Sequence, residues 1–203
     1  MTGQARTRLA RAAVIEAARD LFVEHGYGTT TIEAISAHAD VPQATVYRLF
    51  SSKRGILKAI LDVSIAGDHA PVSLPDREKV RVPLADPDPK SQLASFVAVA
   101  SEVNSRAAQI YRILVGASSS DPGVAAILED VNRQRRTGQG QVVRSLARAG
   151  ALRPGLRERD GIDVVYALLS PEMYRLLVLD RGWSAQRYER WVTGTLIDSL
   201  LPR

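Results

Sequence analysis

The sequence predicts an all-α fold, a small N-terminal three-helix domain followed by a larger helical domain. Three observations carry that reading. Apolar residues recur at helical spacing through most of the chain, and no alternating strand pattern competes with them. Two very short periodic segments, around residues 30–39 and 42–50, are joined by a tight turn. Five of the ten prolines (Pro71, Pro75, Pro83, Pro87 and Pro89) fall close together and interrupt the helical pattern.

The elements follow in order. Residues 8–25 place Val14, Ala18, Leu21 and Phe22 on one face, and Gly26 stops that helix. Thr30 followed by Glu33 forms a capping box before Ile32, Ile35 and Ala39. Asp40 takes the turn, and Pro42 suits the first helical position of a segment ending near Phe50. Ser52 caps a fourth helix with Ile56, Leu57, Ile60 and Leu61 on one side. These features divide the chain into residues 1–52, a connecting helix 53–66, an irregular connection 67–89 and a second domain 90–203. Helical patterns there cover 90–103, 106–118, 123–149, 158–180 and 184–201, with Pro171 kinking or restarting the fourth of them.

Composition sets bounds without naming a partner. The chain has 203 residues, 45% hydrophobic and 24% charged, as in an ordinary globular protein. The net charge of +5 is spread thinly: residues 1–66 hold 8 Lys/Arg against 6 Asp/Glu. A polyanion-binding surface must therefore come from placement of charge rather than excess. The absence of cysteine excludes disulfides and thiolate metal sites and suits an intracellular protein. With no apolar h-region at the N-terminus and no run of ~18 apolar residues, neither a secretion signal nor a membrane span is expected.

The short segment at 42–50 carries Gln43, Thr45, Tyr47 and Arg48, all able to hydrogen-bond, and Lys53 and Arg54 follow it. A helix too short to be stable alone, polar on one side and flanked by basic residues, is the layout of a helix-turn-helix reader of the DNA major groove. Gln43, at its N-terminal end, can pair bidentately with adenine. Thr45 and Tyr47 suit phosphate, Arg48 suits a guanine or the backbone, and Val46 and Phe50 belong to the core. Lys53 and Arg54 stand in a helix first turn, where the macrodipole disfavours cations. A phosphate docked there would explain them; ordinary surface charge is the bland alternative. Arg6, Arg8 and Arg11 form a basic arm or a solvated tail.

These residues resemble the tetracycline-repressor (TetR) family of transcription regulators, strongly over residues 9–61. Gly26, Thr30, Thr31, Ile35, Ala39, Val41, Thr45, Tyr47, Phe50, Lys53 and Leu57 match its signature. Arg153, Ser170-Pro171-Glu172 and Arg181-Gly182-Trp183-Ser184 extend the likeness more loosely. Asp40, Pro42 and Ala44 depart from the pattern, which bears on sequence preference rather than fold. The resemblance implies a helix-turn-helix DNA-binding domain plus a helical ligand-binding and dimerisation domain. It implies a cytoplasmic homodimer on a palindromic operator, usually a repressor released by a small-molecule effector, with no cofactor or metal. The DNA-binding set is then Arg8, Thr30, Thr31, Gln43, Ala44, Thr45, Tyr47, Arg48 and Lys53.

In the second domain, Trp191, Thr195 and Ser199 recur at four-residue steps, and with Tyr188 and Val192 they form the expected dimer face. Phe96, Tyr111, Arg135, Tyr166 and Met173 are candidate ligand contacts, each of which also reads as plain core. Arg135 sits on an apolar stripe, where it either snorkels outward or pairs with an acidic ligand or buried carboxylate. Gly138 and Gly140 suggest close packing or a bend. The implied mechanism is a population shift in which ligand moves the fourth helix; a coupling of about 1–3 kcal/mol changes operator affinity about 5- to 150-fold. Nothing suggests an enzyme: His25, His38 and His69 lie in unrelated segments, and no metal spacing, nucleophile elbow or phosphate-binding glycine loop occurs. The competing class is a helical small-molecule-binding or architectural dimer without specific DNA binding.

Overall fold

The computed structural model describes residues 3–68 and 78–202. They form helices α1 (Gly3–His25), α2 (Ile32–Ala39), α3 (Gln43–Phe50), α4 (Lys53–Ala66), α5 (Glu78–Leu84), α6 (Pro89–Ser118), α7 (Pro122–Arg148), α8 (Glu158–Leu168), α9 (Pro171–Tyr174) and α10 (Ala185–Leu200). α9 continues as a π-helix over Arg175–Asp180. Among the described residues there is no strand.

The chain forms two compact units. The first comprises Met1–Ser64 and Gln109–Glu129; the second comprises Ile65–Ala108 and Asp130–Arg203. The expected division at 53–66 and 67–89 therefore differs from the observed packing. α4 through Ser64 belongs to the first unit, as do the end of α6 and the start of α7.

In the first unit, Val14, Ile15, Ala18 and Phe22 of α1 are buried with Ile35, Val46, Ile56, Leu57 and Ile60. Ile110, Leu114 and Val124 are also buried there. Local caps and turns fix the ends of the short helices around this core. Thr31, extended at ψ 159°, accepts from the Ala34 amide at 3.1 Å. The expected capping box was one residue out: Thr30 is buried, and its hydroxyl donates to the Gly26 and Leu21 carbonyls at 2.8 and 3.2 Å. Asp40 adopts φ 50°, the left-handed turn for which an Asp side chain is suited. Pro42 precedes α3 rather than opening it, and its carbonyl accepts from Thr45 and Val46 at 2.8 and 3.1 Å. The Ser52 hydroxyl accepts from the Gly55 amide at 3.2 Å, as a cap for α4 should. Gly55 is required where it stands, since a Cβ there would lie 2.1 Å from the Phe50 carbonyl oxygen.

The second unit has its own core. Leu93, Val97, Val142, Val143, Leu146, Val165, Leu169, Tyr188, Val192, Leu196 and Leu200 are fully buried in one cluster. Gly161 fits between Val143 and Leu200, 3.1 and 3.3 Å from where its Cβ would be. Three expectations need revision here. The patterns at 90–103 and 106–118 are one helix, because Asn104 turns its amide into the core toward the Leu169 carbonyl (3.1 Å) instead of breaking the backbone. The proline-rich stretch is not irregular throughout: residues 78–84 form α5, and Pro83 near its end removes only one late backbone bond. Pro71 and Pro75 lie outside the described residues. Gly138 meets nothing within 4 Å and Gly140 only the flexible Arg144 side chain, so neither serves close packing between helices. The restart at Ser170-Pro171 is as expected: the Ser170 hydroxyl accepts from the Met173 amide at 3.0 Å.

Candidate nucleic-acid interface

α3 is amphipathic over little more than two turns. Val46 and Phe50 face the core, while Gln43, Ala44, Tyr47 and Arg48 are exposed and Thr45 is half-buried. Tyr47 keeps 50% of its surface exposed, unusual for an aromatic on a short helix beside a core. The exposed residues therefore share one face and combine amide, phenol and guanidinium groups, a set that can address both base edges and phosphates. Thr31, at the α2 N-terminus, is also exposed.

Three of the expected DNA contacts are placed differently. Thr30 is 4% exposed with its hydroxyl engaged, so it shapes the loop rather than meeting a ligand. Arg8 is exposed but lies within α1, which begins at Gly3; an Ala-rich stretch of good helix formers extends the helix through the expected arm. Arg11 lies over the Phe50 ring, 4.8 Å from its centroid. Lys53 is turned inward. Its ammonium donates to the carbonyls of Tyr27 (2.7 Å) and Thr30 (2.9 Å), approaches that of Gly28 (3.4 Å), and sits 4.4 Å from the centre of the Tyr27 ring. Burial draws its pKa below the usual lysine value. The cation in the first turn of α4 thus has a structural explanation that the phosphate reading did not anticipate: it ties down the loop between α1 and α2.

Behind that loop stands a carboxylate the sequence reading missed. Asp121 accepts from the Gly123 and Val124 amides (2.9 and 3.3 Å), capping α7, and from the Tyr27 hydroxyl (3.2 Å). Arg54 lies 3.7 Å away. Burial opposes ionisation of Asp121, but the two amides, the phenol and the guanidinium together hold its carboxyl below the ordinary range. Tyr27 is pushed up to about 12, first by burial and then by the Asp121 charge. The Asp121-Pro122 pair was a readable helix-start signal. Its partnership with Tyr27, distant in sequence, was not.

In the second unit, α10 carries two stripes. Tyr188, Val192, Leu196 and Leu200 are fully buried, which removes Tyr188 and Val192 from the expected dimer face. Their spacing fits the protomer's own core, and the Tyr188 hydroxyl donates to the Leu168 carbonyl at 3.1 Å. Trp191 stays 39% exposed, edge-on to Trp183 at 5.9 Å, while Thr195 and Ser199 are half-buried. Leu176 and Leu179 of the π-helix are 46% and 53% exposed.

The expected ligand contacts do not form one group. Tyr111 is buried in the first unit, and Phe96 is a core residue of the second. Met173 packs partly buried against that core. Arg135 and Tyr166 are together: the guanidinium stacks 3.6 Å from the ring centre and donates to the Tyr166 carbonyl at 2.9 Å. Gln139, one turn beyond Arg135, donates to the Leu169 carbonyl at 3.1 Å and was not anticipated.

Comparison with known proteins agrees with the α1–α4 geometry. Residues 14–60 match the profile of the bacterial regulatory proteins, tetR family. The HTH-type transcriptional regulator YdeS of Bacillus subtilis is 28% identical over 181 residues, spanning 87% of this chain and 82% of that protein. Among solved structures, the fatty acid degradation regulator FadR of Bacillus halodurans superposes with a TM-score of 0.74 at 17% identity, covering 93% of this chain and 94% of that one. SmeT in complex with triclosan gives 0.73 at 18% identity, covering 95% and 92%. SmeT is the repressor of the Stenotrophomonas maltophilia multidrug efflux pump SmeDEF. With the motif's buried framework intact and its polar face exposed, residues 14–60 form a helix-turn-helix domain of the kind found in the bacterial tetR-family regulators.

Proposed function

We propose that the protein is a homodimeric, cytoplasmic repressor that binds a palindromic operator and is released by a small-molecule effector. The observation that carries the DNA-binding half is the exposed face of α3, where Gln43, Ala44, Tyr47 and Arg48 stand free of the core that holds Val46 and Phe50. On this reading Gln43 and Ala44 meet base edges, while Thr31, Thr45, Tyr47 and Arg48 fix the register on phosphates. Reading both halves of a palindrome requires two recognition helices about 34–36 Å apart, so a twofold partner is part of the mechanism. Exposed Trp191, Leu176 and Leu179 supply an apolar face for that partner, with half-buried Thr195 and Ser199 allowing close approach. A regulator of a drug efflux pump and one of fatty acid degradation share the fold, which supports control by a small molecule. No catalytic step is assigned.

The test is a footprint and gel shift on the DNA upstream of the protein's own gene. Wild type should protect a palindrome. Gln43→Ala should relax base preference at one position of each half-site, and Arg48→Ala should weaken binding uniformly and lower the salt slope by about 1.8, about 0.9 for each protomer of the dimer. Equal retention of promoter and random duplex at physiological salt, or a monomer in solution, would refute the proposal.

A further inference from the structure

Two polar atoms inside the second unit are buried without a hydrogen-bond partner: Arg135 Nε and Gln139 Oε1. They lie one helical turn apart on α7 and so share a face. One is a donor and the other an acceptor. Their orientations are fixed from behind. The Gln139 amide donates to the Leu169 carbonyl, which also accepts from the Asn104 amide at 3.1 Å. Flipping Gln139 would set its oxygen against that carbonyl, so Oε1 must remain the group facing away from Leu169. Arg135 is held by the Tyr166 carbonyl and ring, which leaves its Nε–H as the uncommitted donor. Leu169 is itself fully buried in the apolar cluster, so the carbonyl that orients Gln139 is held in place.

We propose that Arg135 Nε and Gln139 Oε1 form the polar anchor of the effector site and take a neutral hydroxyl group on a small molecule. The inference rests on the effector-responsive reading above and names the ligand class. A hydroxyl satisfies both atoms at once, since its O–H donates to Gln139 and its oxygen accepts from Arg135. A carboxylate satisfies Arg135 but turns lone pairs on Gln139 Oε1, which has no proton to offer. An ether accepts from Arg135 and leaves Gln139 unpaired. The fixed amide therefore selects against the acidic ligand that Arg135 alone suggests.

The experiment uses the full-length protein and two probe scaffolds, octyl and 4-butylphenyl, each as the hydroxyl compound, its methyl ether and the matching carboxylate. Binding is read by the shift in thermal midpoint and by tryptophan fluorescence. Both hydroxyl probes should bind saturably, with the ethers and carboxylates weaker by at least about tenfold. In Gln139→Leu the hydroxyl and ether should bind alike; Leu169 keeps its bond from Asn104, so the fold is retained. Should that variant not fold, the wild-type ranking decides alone. Equal binding of hydroxyl and ether by wild type, no binding of either hydroxyl probe, or an unchanged ranking in Gln139→Leu each overturns the assignment. A parallel gel shift separates the two readings. Selective binding of the hydroxyl probes without release of operator DNA leaves the site standing and sinks effector control. Specific DNA retention with no probe bound does the reverse.

Discussion

Replacing Lys53 by Met separates two accounts of the same cation. The ammonium makes two well-formed bonds, 2.7 Å to the Tyr27 carbonyl and 2.9 Å to that of Thr30; the 3.4 Å approach to Gly28 is too long to count for much. Charge-assisted bonds are worth about 1.5–3 kcal/mol each when buried, and the contact with the Tyr27 ring adds about 0.5–1 kcal/mol. Lys53 is only partly buried, so water replaces much of this in the variant, and the net loss should be about 2 kcal/mol. For a chain of this size that lowers the thermal midpoint by roughly 4–8 °C. The loop it secures leads directly into Thr31 and α2, so operator affinity should fall by a similar factor at every salt concentration. The phosphate account predicts the opposite pattern: an unchanged midpoint, with the slope of log affinity against log salt reduced by about 1.8 for the two lysines of a dimer. Calorimetry and a salt series of gel shifts decide. A stable variant with the reduced slope would refute the internal role argued for Lys53.

Asp121→Asn should lower stability at neutral pH but not in acid. The folded carboxyl titrates below its unfolded value, so its contribution is complete above about pH 4 and is lost as pH falls through the lowered folded value; urea midpoints of variant and wild type that differ equally at pH 7 and pH 2 would contradict this. Gly55→Ala places a methyl group 2.1 Å from the Phe50 carbonyl oxygen and should cost about 1–3 kcal/mol, against the gain its helix propensity alone predicts; a raised thermal midpoint would show the backbone there to be looser than described. Trp191→Ala should weaken self-association by about thirtyfold or more, the effect of losing an interface anchor of about 2 kcal/mol, as read by sedimentation over a dilution series. Tyr188→Phe should leave association unchanged while costing about 1 kcal/mol of stability through the lost bond to the Leu168 carbonyl.

The sequence resolved what local rules govern. Asp40 was legible as a left-handed turn, Ser170-Pro171 as a helix restart, and Val46 and Phe50 as core, because capping chemistry and helical period act over a few residues. It misjudged positions where two local rules agreed and a distant group decided. Thr30 and Thr31 are both acceptable caps; what chose Thr31 was the space beneath Leu21, where the Thr30 hydroxyl finds its acceptors. Tyr188 and Trp191 both fit an interface helix, and only the position of Leu168 and Tyr174 shows which ring faces inward.

Charge was the least legible property, for a physical reason. A cation in the first turn of a helix opposes the macrodipole, so the sequence alone calls for an external anion. Backbone carbonyls are invisible in a sequence, yet two of them with good geometry offset that penalty within the chain, and Asp121 does the same for Arg54. The same accounting applied to Arg135 gives the opposite outcome. Its guanidinium has one carbonyl and one ring for partners, its Nε none, and the neighbouring Gln139 oxygen none either. Where internal acceptors suffice, as at Lys53, no ligand is needed to explain a charge. Where buried donors and acceptors remain uncommitted in complementary pairs, the fold retains a cost that a bound molecule of matching polarity removes. That asymmetry, rather than the presence of positive charge, is what sets the structural cation Lys53 apart from Arg135, for which a binding role is proposed.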